Sequence, residues 1–408
     1  MHLAILSDSW IPNVNGVVYS IQNEIRTLSQ KGYEITLFVP KTNKLPNSEE
    51  DLPVDEIIEH RSTPFPGYPG YNIGLPDLKL RAQIKKKRFD LIHCQTPFSM
   101  WVMARLLKRT MKIPMVTTFH THIPEYTGHL LGGLLKNQLE VFLAPLAWHI
   151  TRFNNHSNAI IAPSEVLKNE LMAHGVTKAP ICVVPSPISA SFFNKKADAN
   201  LKRSAEFKVK EKYNINPDAV LLTYIGRVSF EKRLELLLKA YRSLKNRTSE
   251  PLHLLIVGDG PHINAYKKQA AHLALSQDEV SFTGYVPHEQ LPPYYAAAEV
   301  FVSPSDTETQ GLTFIEAMSQ STPVIGVKAG GVQDLIQNGQ NGLLVPRNNI
   351  PLLEKSIRAL IEDGNLREKM SKQAYQTAQQ YSVERFGENL NNVFQIAHEN
   401  HNQKIARI

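Results

Sequence analysis

The 408-residue chain has only two cysteines, Cys94 and Cys182, far apart and each among apolar neighbours. That excludes a disulfide framework and a zinc-ligand spacing, and both read as buried thiols. No apolar run approaches the roughly 18 residues that a membrane-spanning helix needs. The N-terminus, "MHLAILSDSW", has no basic leader, and its apolar run stops at Ser7. It therefore reads as a first buried strand rather than a signal peptide, and the expected address is cytoplasmic. Low-complexity tracts, acidic tails and fixed-period repeats are missing too. The GxGxxG dinucleotide fingerprint occurs nowhere in the chain.

Negative charge is the scarcer sign, with 38 Asp and Glu against 45 Lys and Arg. The excess concentrates between residues 76 and 112. There Lys79, Arg81, Lys85, Lys86, Lys87, Arg88, Arg105, Lys108, Arg109 and Lys112 face only Asp77 and Asp90. Such a strip either forms solvated helix faces or attracts a polyanion: anionic membrane, nucleic acid or a phosphorylated ligand. Nucleic acid is the weakest of these, because interleaved aromatics and a recognised module are lacking.

What is present is a composition, 42% hydrophobic and 20% charged, suited to two globular domains. Short apolar runs alternate with helical spacing. "HLAILSD", "EITLFVP", "DLIHCQT", "PMVTTFH", "NAIIAPS" and "ICVVPS" read as one strand series. "AVLLTYIGR", "LHLLIVGDG", "EVSFTGYV", "EVFVSPS", "TPVIGVK" and "NGLLVP" read as a second. Strands alternating with helices predict an α/β architecture of two Rossmann-like, doubly wound parallel-sheet domains with a cleft between them. The boundary is expected near residue 189, giving domains 1–189 and 190–383, and the polar stretch 190–217 suits a linker. The C-terminal stretch is helical, and periodicity alone allows it to finish either domain.

Ligands in such sheets bind at the carboxyl ends of the strands, and the candidate motifs lie there. Asn13, Asn15 and Gly16 form a turn before a helix that ends at Gly32. In "YIGRVSFEKR", Arg227 and Lys232 flank a glycine turn, and two cations so spaced can reach one diphosphate. Gly258 lies in a second glycine-rich strand exit and Val286 follows a third. In "SDTETQGLTFIEAMSQ", a helix begins after Gly311, and the N–H groups of Leu312 and Thr313 at its start suit a phosphate. Glu308 precedes that helix and Glu316 lies within it. They need not meet, and one can accept hydrogen bonds from a ribose and the other from a hexose.

With its neighbours, "ETQGLTFIEA" resembles the Glu-seven-residues-Glu motif of the family 4 retaining glycosyltransferases. "GRVSFEKR", "VGDGP", "GYV" and "AGGVQDLIQNGQNGLLV" match in order and spacing, as do "PNVNGVVYSI", "FDLIHCQTPF", "TTFHTHIPEY" and "APSEVLKNEL" nearer the front. The likeness covers nearly the whole chain. "TQGL" and "HTHIPEYTGHLL" resemble the diacylglycerol glucosyltransferases within that family. The pattern departs at Pro187 and Ser189, where relatives commonly carry Gly and Asp, at Ser321 in place of a usual glycine, and at Gln333 in place of a frequent proline.

The resemblance implies a GT-B fold whose last helix, 384–408, packs back on the first domain. It implies transfer of a hexose, glucose from UDP-glucose, to a diacylglycerol acceptor with retention. Arg227 and Lys232 would hold the donor diphosphate, Glu316 the ribose and Glu308 the transferred sugar, with His120 beside the reacting carbon. Gly16 would let the first loop approach the phosphates, and the backbone at Val286 would meet the base. Other acceptors in the same chemistry are phosphatidylinositol, a glycan or a soluble sugar. A binding protein without catalysis is the remaining alternative. With two cations supplied, no metal is expected to be required, and magnesium would at most stimulate.

His120, His122 and His129 lack the companions that complete a metal site. Residues 131, 135, 139, 142, 146 and 150 form an apolar helical stripe beside Trp148. It reads as core, or as an interfacial helix dipping into lipid. With Lys85, Lys86, Lys87, Arg88, Lys108 and Arg109, the second reading implies a peripheral enzyme on the inner face of the cell membrane.

Overall fold

In a computed structural model of the chain, the described residues are 1–11, 16–41, 52–64, 72–74, 82, 84, 86–96, 99–120, 151–193 and 199–406. The expectations for Lys85, His122, His129, Trp148 and the 131–150 stripe lie outside them. The chain divides into two compact units, Met1–Pro187 with Val383–Ile408, and Ile188–Ser382.

In the first unit the strands are β1 (His2–Leu6), β2 (Glu34–Pro40), β3 (Glu56–His60), β4 (Ser62–Pro64), β5 (Asn72–Gly74), β6 (Leu91–Cys94), β7 (Met115–Thr118), β8 (Ala159–Ala162) and β9 (Ile181–Val183). The seven-stranded sheet runs β3-β2-β1-β6-β7-β8-β9, while β4 and β5 form a small antiparallel pair. The seven strands pair in parallel throughout. Their apolar runs follow from that arrangement, because helices cover both faces and leave little room for alternating polar residues. Helix α1 (Gly16–Gln30) turns Val17, Val18, Ile21, Ile25 and Leu28 inward at helical spacing. Gly32, at φ 79°, lets the chain turn back towards β2. Helix α2 (Ser99–Met111) is anchored by Asp8: the carboxylate accepts from the Met100 N–H at 3.2 Å, from the Thr96 hydroxyl at 2.6 Å and from the Ser99 hydroxyl. The exit of β1 is thereby fixed to the exit of β6. Helix α3 (Glu165–Ala173) starts at Ser164, whose hydroxyl accepts from the Leu167 N–H.

The second unit contains β10 (Val220–Ile225), β11 (Leu252–Val257), β12 (Val280–Phe282), β13 (Val300–Ser303), β14 (Val324–Val327) and β15 (Gly342–Val345). They form one parallel sheet in the order β12-β11-β10-β13-β14-β15. Both faces are buried. Leu222 and Tyr224 point into one hydrophobic cluster with α5 (Leu234–Lys245) and α6 (Ile263–His272), behind α4 (Ala199–Lys212) in chain order. Leu221 and Ile225 point into another, with α7 (Pro292–Ala297) and α8 (Leu312–Ser319). The linker expected over 190–217 is instead part of this unit. Most of α4 is polar, which hides it from a periodicity reading, but Val209, Ile215 and Phe192 are buried in the core. Lys212 Nζ donates to the Tyr294 hydroxyl at 2.9 Å and ties α4 to α7.

The C-terminal helix Val383–Ala406 belongs to the first unit. A Cβ on Gly387 would lie 2.1 Å from Thr27 Cγ2, so only glycine allows the approach to α1. The Tyr33 hydroxyl donates to Asn391 Oδ1 at 2.7 Å, and the Phe394 ring meets His93 edge-on.

Candidate active site

Each sheet reverses its winding direction beside its first strand, and ligands of open α/β sheets bind in the crevice this leaves at the carboxyl ends. In the second unit the reversal lies between β10 and β13. Loop 226–233, which carries Arg227 and Lys232, leaves β10, and loop 304–311 leaves β13, so Lys232 comes to stand against Glu308. Lys232 Nζ donates to Glu308 Oε1 at 2.6 Å, with the two side chains only 22% and 18% exposed. Burial would raise the Glu308 carboxyl, but Lys232 and the Ser305 hydroxyl outweigh it and hold the group below the usual carboxylate range. Arg227 is exposed on the same loop, and its carbonyl accepts from the Tyr224 hydroxyl at 2.9 Å. Arg233 is bound by Glu235 at 2.8 Å and by Asp306 at 3.5 Å.

Close backbone packing shapes this crevice. A Cβ on Gly258 would lie 2.1 Å from the Gly226 carbonyl oxygen, and one on Gly260 would lie 2.3 Å from that of Val228. The exits of β10 and β11 are therefore pressed together. On the other wall, Gly331 N–H donates to the Glu308 carbonyl at 2.8 Å. A Cβ on Gly331 would come within 2.0 Å of the Thr309 oxygen, so the glycine pair in "AGGV" is what seats the Glu308 loop. Gly311, at φ 87°, turns the chain into α8, and Leu312 and Thr313 stand half-buried at the start of that helix.

Glu316, one turn into α8, is engaged elsewhere. Its Oε1 accepts from His288 Nε2 at 2.8 Å and its Oε2 from the Tyr295 hydroxyl at 2.6 Å. Burial would lower the His288 imidazole, but Glu316 outweighs it and raises the group above its ordinary value. The ring lies 5.1 Å from that of Phe192. Val286 is half-buried just ahead, packed against the core that holds Tyr295. His288 and Tyr295 carried no signal as site residues in the sequence, although both lie in one short stretch, "HEQLPPYY", ahead of β13.

In the first unit, His120 follows β7. Its Nε2 lies 2.8 Å from Gln95 Oε1. Burial first, and repulsion from His93 second, lower its pKa to about 3, so the ring is neutral at physiological pH. Gln95 donates from Nε2 to Glu24 Oε2 at 2.6 Å, and His93 Nδ1 donates to Glu24 Oε1 at 2.6 Å. His93 on β6 and Gln95 just beyond its end are two positions apart and both meet Glu24, which an alternation of polar residues inside "LIHCQT" could have signalled. Gly16 is exposed as the first residue of α1.

Part of the basic strip lies among the described residues. Lys87 pairs with Glu56, and Lys86, Arg88 and Arg109 are exposed. Lys108 donates to the His156 carbonyl; burial, then Lys404 and Arg105, lower its pKa to about 8. Arg105 lies 5.6 Å from the Trp101 ring centre, and Val102, Leu106 and Phe153 are exposed apolar residues nearby in the same unit. Among the described residues, no helix is long and apolar enough to cross a membrane, and no group of three His, Cys, Asp or Glu is placed to hold a metal ion.

Residues 14–192 match Glycosyltransferase Family 4, and residues 206–377 match Glycosyl transferases group 1. The chain is 28% identical over 396 residues to an alpha-monoglucosyldiacylglycerol synthase of Streptococcus pneumoniae, covering 97% of this chain and 85% of that protein. It is 25% identical over 415 residues to the alpha-monoglucosyldiacylglycerol synthase of Acholeplasma laidlawii, covering 100% of both. Its fold is similar to that of Anabaena HepE, solved in complex with UDP, with a TM-score of 0.75 at 18% identity over 97% of this chain and 100% of the other. Paired doubly wound units, the glycine-seated strand exits and these matches together make the chain a member of the family 4 glycosyltransferases with the GT-B fold.

Proposed function

We propose that the chain moves glucose from UDP-glucose to the free hydroxyl of a diacylglycerol, with retention at the anomeric carbon, at an anionic membrane surface. The observation that carries the reading is the Lys232–Glu308 pair across the β10/β13 crevice. An ammonium has three donors, and Glu308 takes one. The ammonium, the Arg227 fork and the start of α8 are groups of the kind that meet a diphosphate, whose negative charge grows as its bond to the sugar breaks. Fixed positive charge aimed at a leaving group is the electrostatic contribution that commonly dominates such catalysis.

Glu308, held ionised, accepts from hydroxyls of the transferred glucose. Glu316 accepts from the ribose through lone pairs that His288 and Tyr295 leave available, and the backbone at Val286 meets the base. Gly258 and Gly16 let backbone come close to the phosphates, and His120 meets a hydroxyl of the sugar. A phosphate oxygen of the donor takes the acceptor's proton as the alcohol attacks from the leaving-group side. With two cations to meet the diphosphate, turnover is expected to persist in chelator.

Two supports favour a lipid acceptor. Two of the relatives that align along nearly the whole chain are named alpha-monoglucosyldiacylglycerol synthase. Arg105, Lys108, Arg109, Lys86 and Arg88, with the apolar Val102, Leu106 and Phe153, suit an anionic headgroup layer on the inner face of the cell membrane. Each such cation contributes about 1 kcal/mol near the surface.

The test offers radiolabelled UDP-glucose, UDP-galactose and GDP-mannose with diacylglycerol in phosphatidylglycerol vesicles, and extracts product into organic solvent. Label from UDP-glucose alone, with vesicle binding lost in high salt, is the expected result. Turnover on phosphatidylinositol or a soluble sugar in preference to diacylglycerol would overturn the acceptor, and label from GDP-mannose would overturn the donor.

A further inference from the structure

Arg233 holds a backbone conformation that an arginine does nothing to favour. At φ 56° and ψ 34° it lies in the left-handed region, where it both closes the short 3-10 turn Phe230–Lys232 and opens α5. Glycine adopts that conformation freely, whereas a residue with a Cβ is strained there. The side chain does not cap the helix it precedes. Strain held at one residue points to work done by its side chain, and the guanidinium shows what that work is.

Its three nitrogens reach three segments. Nε donates to Glu235 Oε1 at 2.8 Å, in the first turn of α5. Nη2 donates to Asn348 Oδ1 at 2.7 Å, in the loop between β15 and the helix Ile350–Glu362. Nη1 meets Asp306 Oδ2 at 3.5 Å, in the loop that leaves β13. Arg347 comes to Asp306 as well, with Nε 3.9 Å from the carboxylate and Nη2 donating to the carbonyl at 3.5 Å. Asn348 is itself left-handed, at φ 58°, which asparagine tolerates. One guanidinium thus joins the exits of β10, β13 and β15, and its planar fork suits that where the single ammonium of a lysine would not. Ion pairs as exposed as these add little to stability. Their placement says more: Arg233 directly follows Lys232, and Asp306 lies two residues ahead of Glu308. The brace therefore holds both loops of the Lys232–Glu308 pair.

We infer that Arg233, through Asn348 and Asp306, is a positioning residue that sets where Lys232 and Glu308 stand, and so how tightly the second unit takes a nucleoside diphosphate. The inference rests on the donor site proposed above and goes beyond it by naming what aims that site. Arg233 itself touches neither the donor nor the reacting atoms. Its cost is the left-handed backbone, and its return is a fixed distance between the β10 and β13 loops. Glycine at 233 would relax the backbone and release the loops together, so stability and donor affinity should part company there.

The test measures thermal unfolding, UDP affinity by calorimetry and turnover of UDP-glucose for the full chain and for Arg233→Gly, Asn348→Gly and the two combined. Both single variants are expected to unfold within about 3 °C of wild type, since glycine is at ease at both positions. Each is expected to bind UDP about tenfold more weakly and to lose kcat/KM on the order of tenfold or more, because a small misplacement of a binding group is felt at the chemistry. The combined variant should be little worse than either single one, because both break the same brace. Wild-type UDP affinity and turnover in Arg233→Gly and Asn348→Gly overturn the inference, whatever their unfolding temperatures, since a merely structural brace would lower those temperatures and leave binding intact. Losses that simply add in the combined variant overturn it too. Should Arg233→Gly fail to fold, Asn348→Gly decides, because it removes only a side chain from a left-handed position. Lys232→Met separates this from the donor site: wild-type UDP affinity there sinks the site and the brace together, whereas a loss there with wild-type affinity in the two glycine variants sinks the brace alone.

Discussion

Replacing Lys232 by methionine removes the ammonium and keeps most of the chain length. In the folded protein that ammonium lies 2.6 Å from Glu308, and the side chains are 22% and 18% exposed. Exposed pairs contribute up to about 1 kcal/mol, and breaking fully buried ones costs about 3 to 5. This pair lies between them, so Lys232→Met is expected to cost about 2 kcal/mol at neutral pH. The sign with pH follows from Glu308. Its folded pKa is depressed, so its contribution is present above the unfolded value of 4.5 and is lost as pH falls through the folded value. The destabilisation should therefore shrink in acid. Lys232→Met with Glu308→Gln should be less destabilised than the two single variants summed, because the second change removes the stranded carboxylate. Urea denaturation at several pH values measures both. UDP affinity, read by calorimetry, should fall at least tenfold and turnover about 100- to 1000-fold. Unchanged UDP affinity and turnover in Lys232→Met would refute the donor site. A stability loss undiminished in acid would refute the electrostatic account of the pair.

Gly331→Ala must move the Glu308 loop, since the new Cβ would stand 2.0 Å from the Thr309 oxygen. A stability loss of about 2 kcal/mol and weakened UDP binding are expected, and wild-type calorimetry would contradict the seating role. Ser321 occupies a left-handed conformation at φ 58°. There Ser321→Gly should stabilise by about 0.5 to 1 kcal/mol in urea, the relief of strain less the extra freedom of unfolded glycine; a destabilised variant would contradict it. His288 has a folded pKa raised by Glu316, so its contribution is complete below the unfolded value of 6.5 and fades as pH rises through the folded one. The stability gap between wild type and His288→Phe should narrow across that window, and a constant gap would exclude the ion pair.

Much of the fold was legible because fully buried parallel strands are nearly continuous apolar runs. β10 and β11 read clearly for that reason. β3 did not, because "EIIEH" lies at the sheet edge with most of its residues half-buried and two of its five positions glutamate. Helix α4 read as linker because so few of its side chains face the core. The candidate residues Arg227, Lys232, Glu308 and Glu316 stand out in the sequence too, since each lies in or just beyond a glycine-marked strand exit. What lay beyond reach was who meets whom. Lys232 and Glu308 are separated by 76 positions, and only the strand order β11-β10-β13 makes their loops neighbours.

The same limit explains why the residues behind the site carried no signal. A side chain that meets a ligand must differ in type from the apolar background, and so it shows in the sequence. His288 and Tyr295 hold the candidate Glu316, and Glu24 and Gln95 stand behind the candidate His120; their polarity is cancelled by partners supplied from other elements. On an apolar strand or helix face, each alone reads as a lapse in the pattern. Buried polar groups are tolerated only when fully paired, so their pairing follows from the register of β6 against β7 and the seating of α1, which are set by the packing of leucines and valines elsewhere. The chemistry of the site is thus inscribed locally, but its aim is set by the whole core of each unit. Substitutions in that core, at Ile25 on α1 or Leu91 on β6, should loosen the Glu24–His93–Gln95 hydrogen bonds without touching any polar residue.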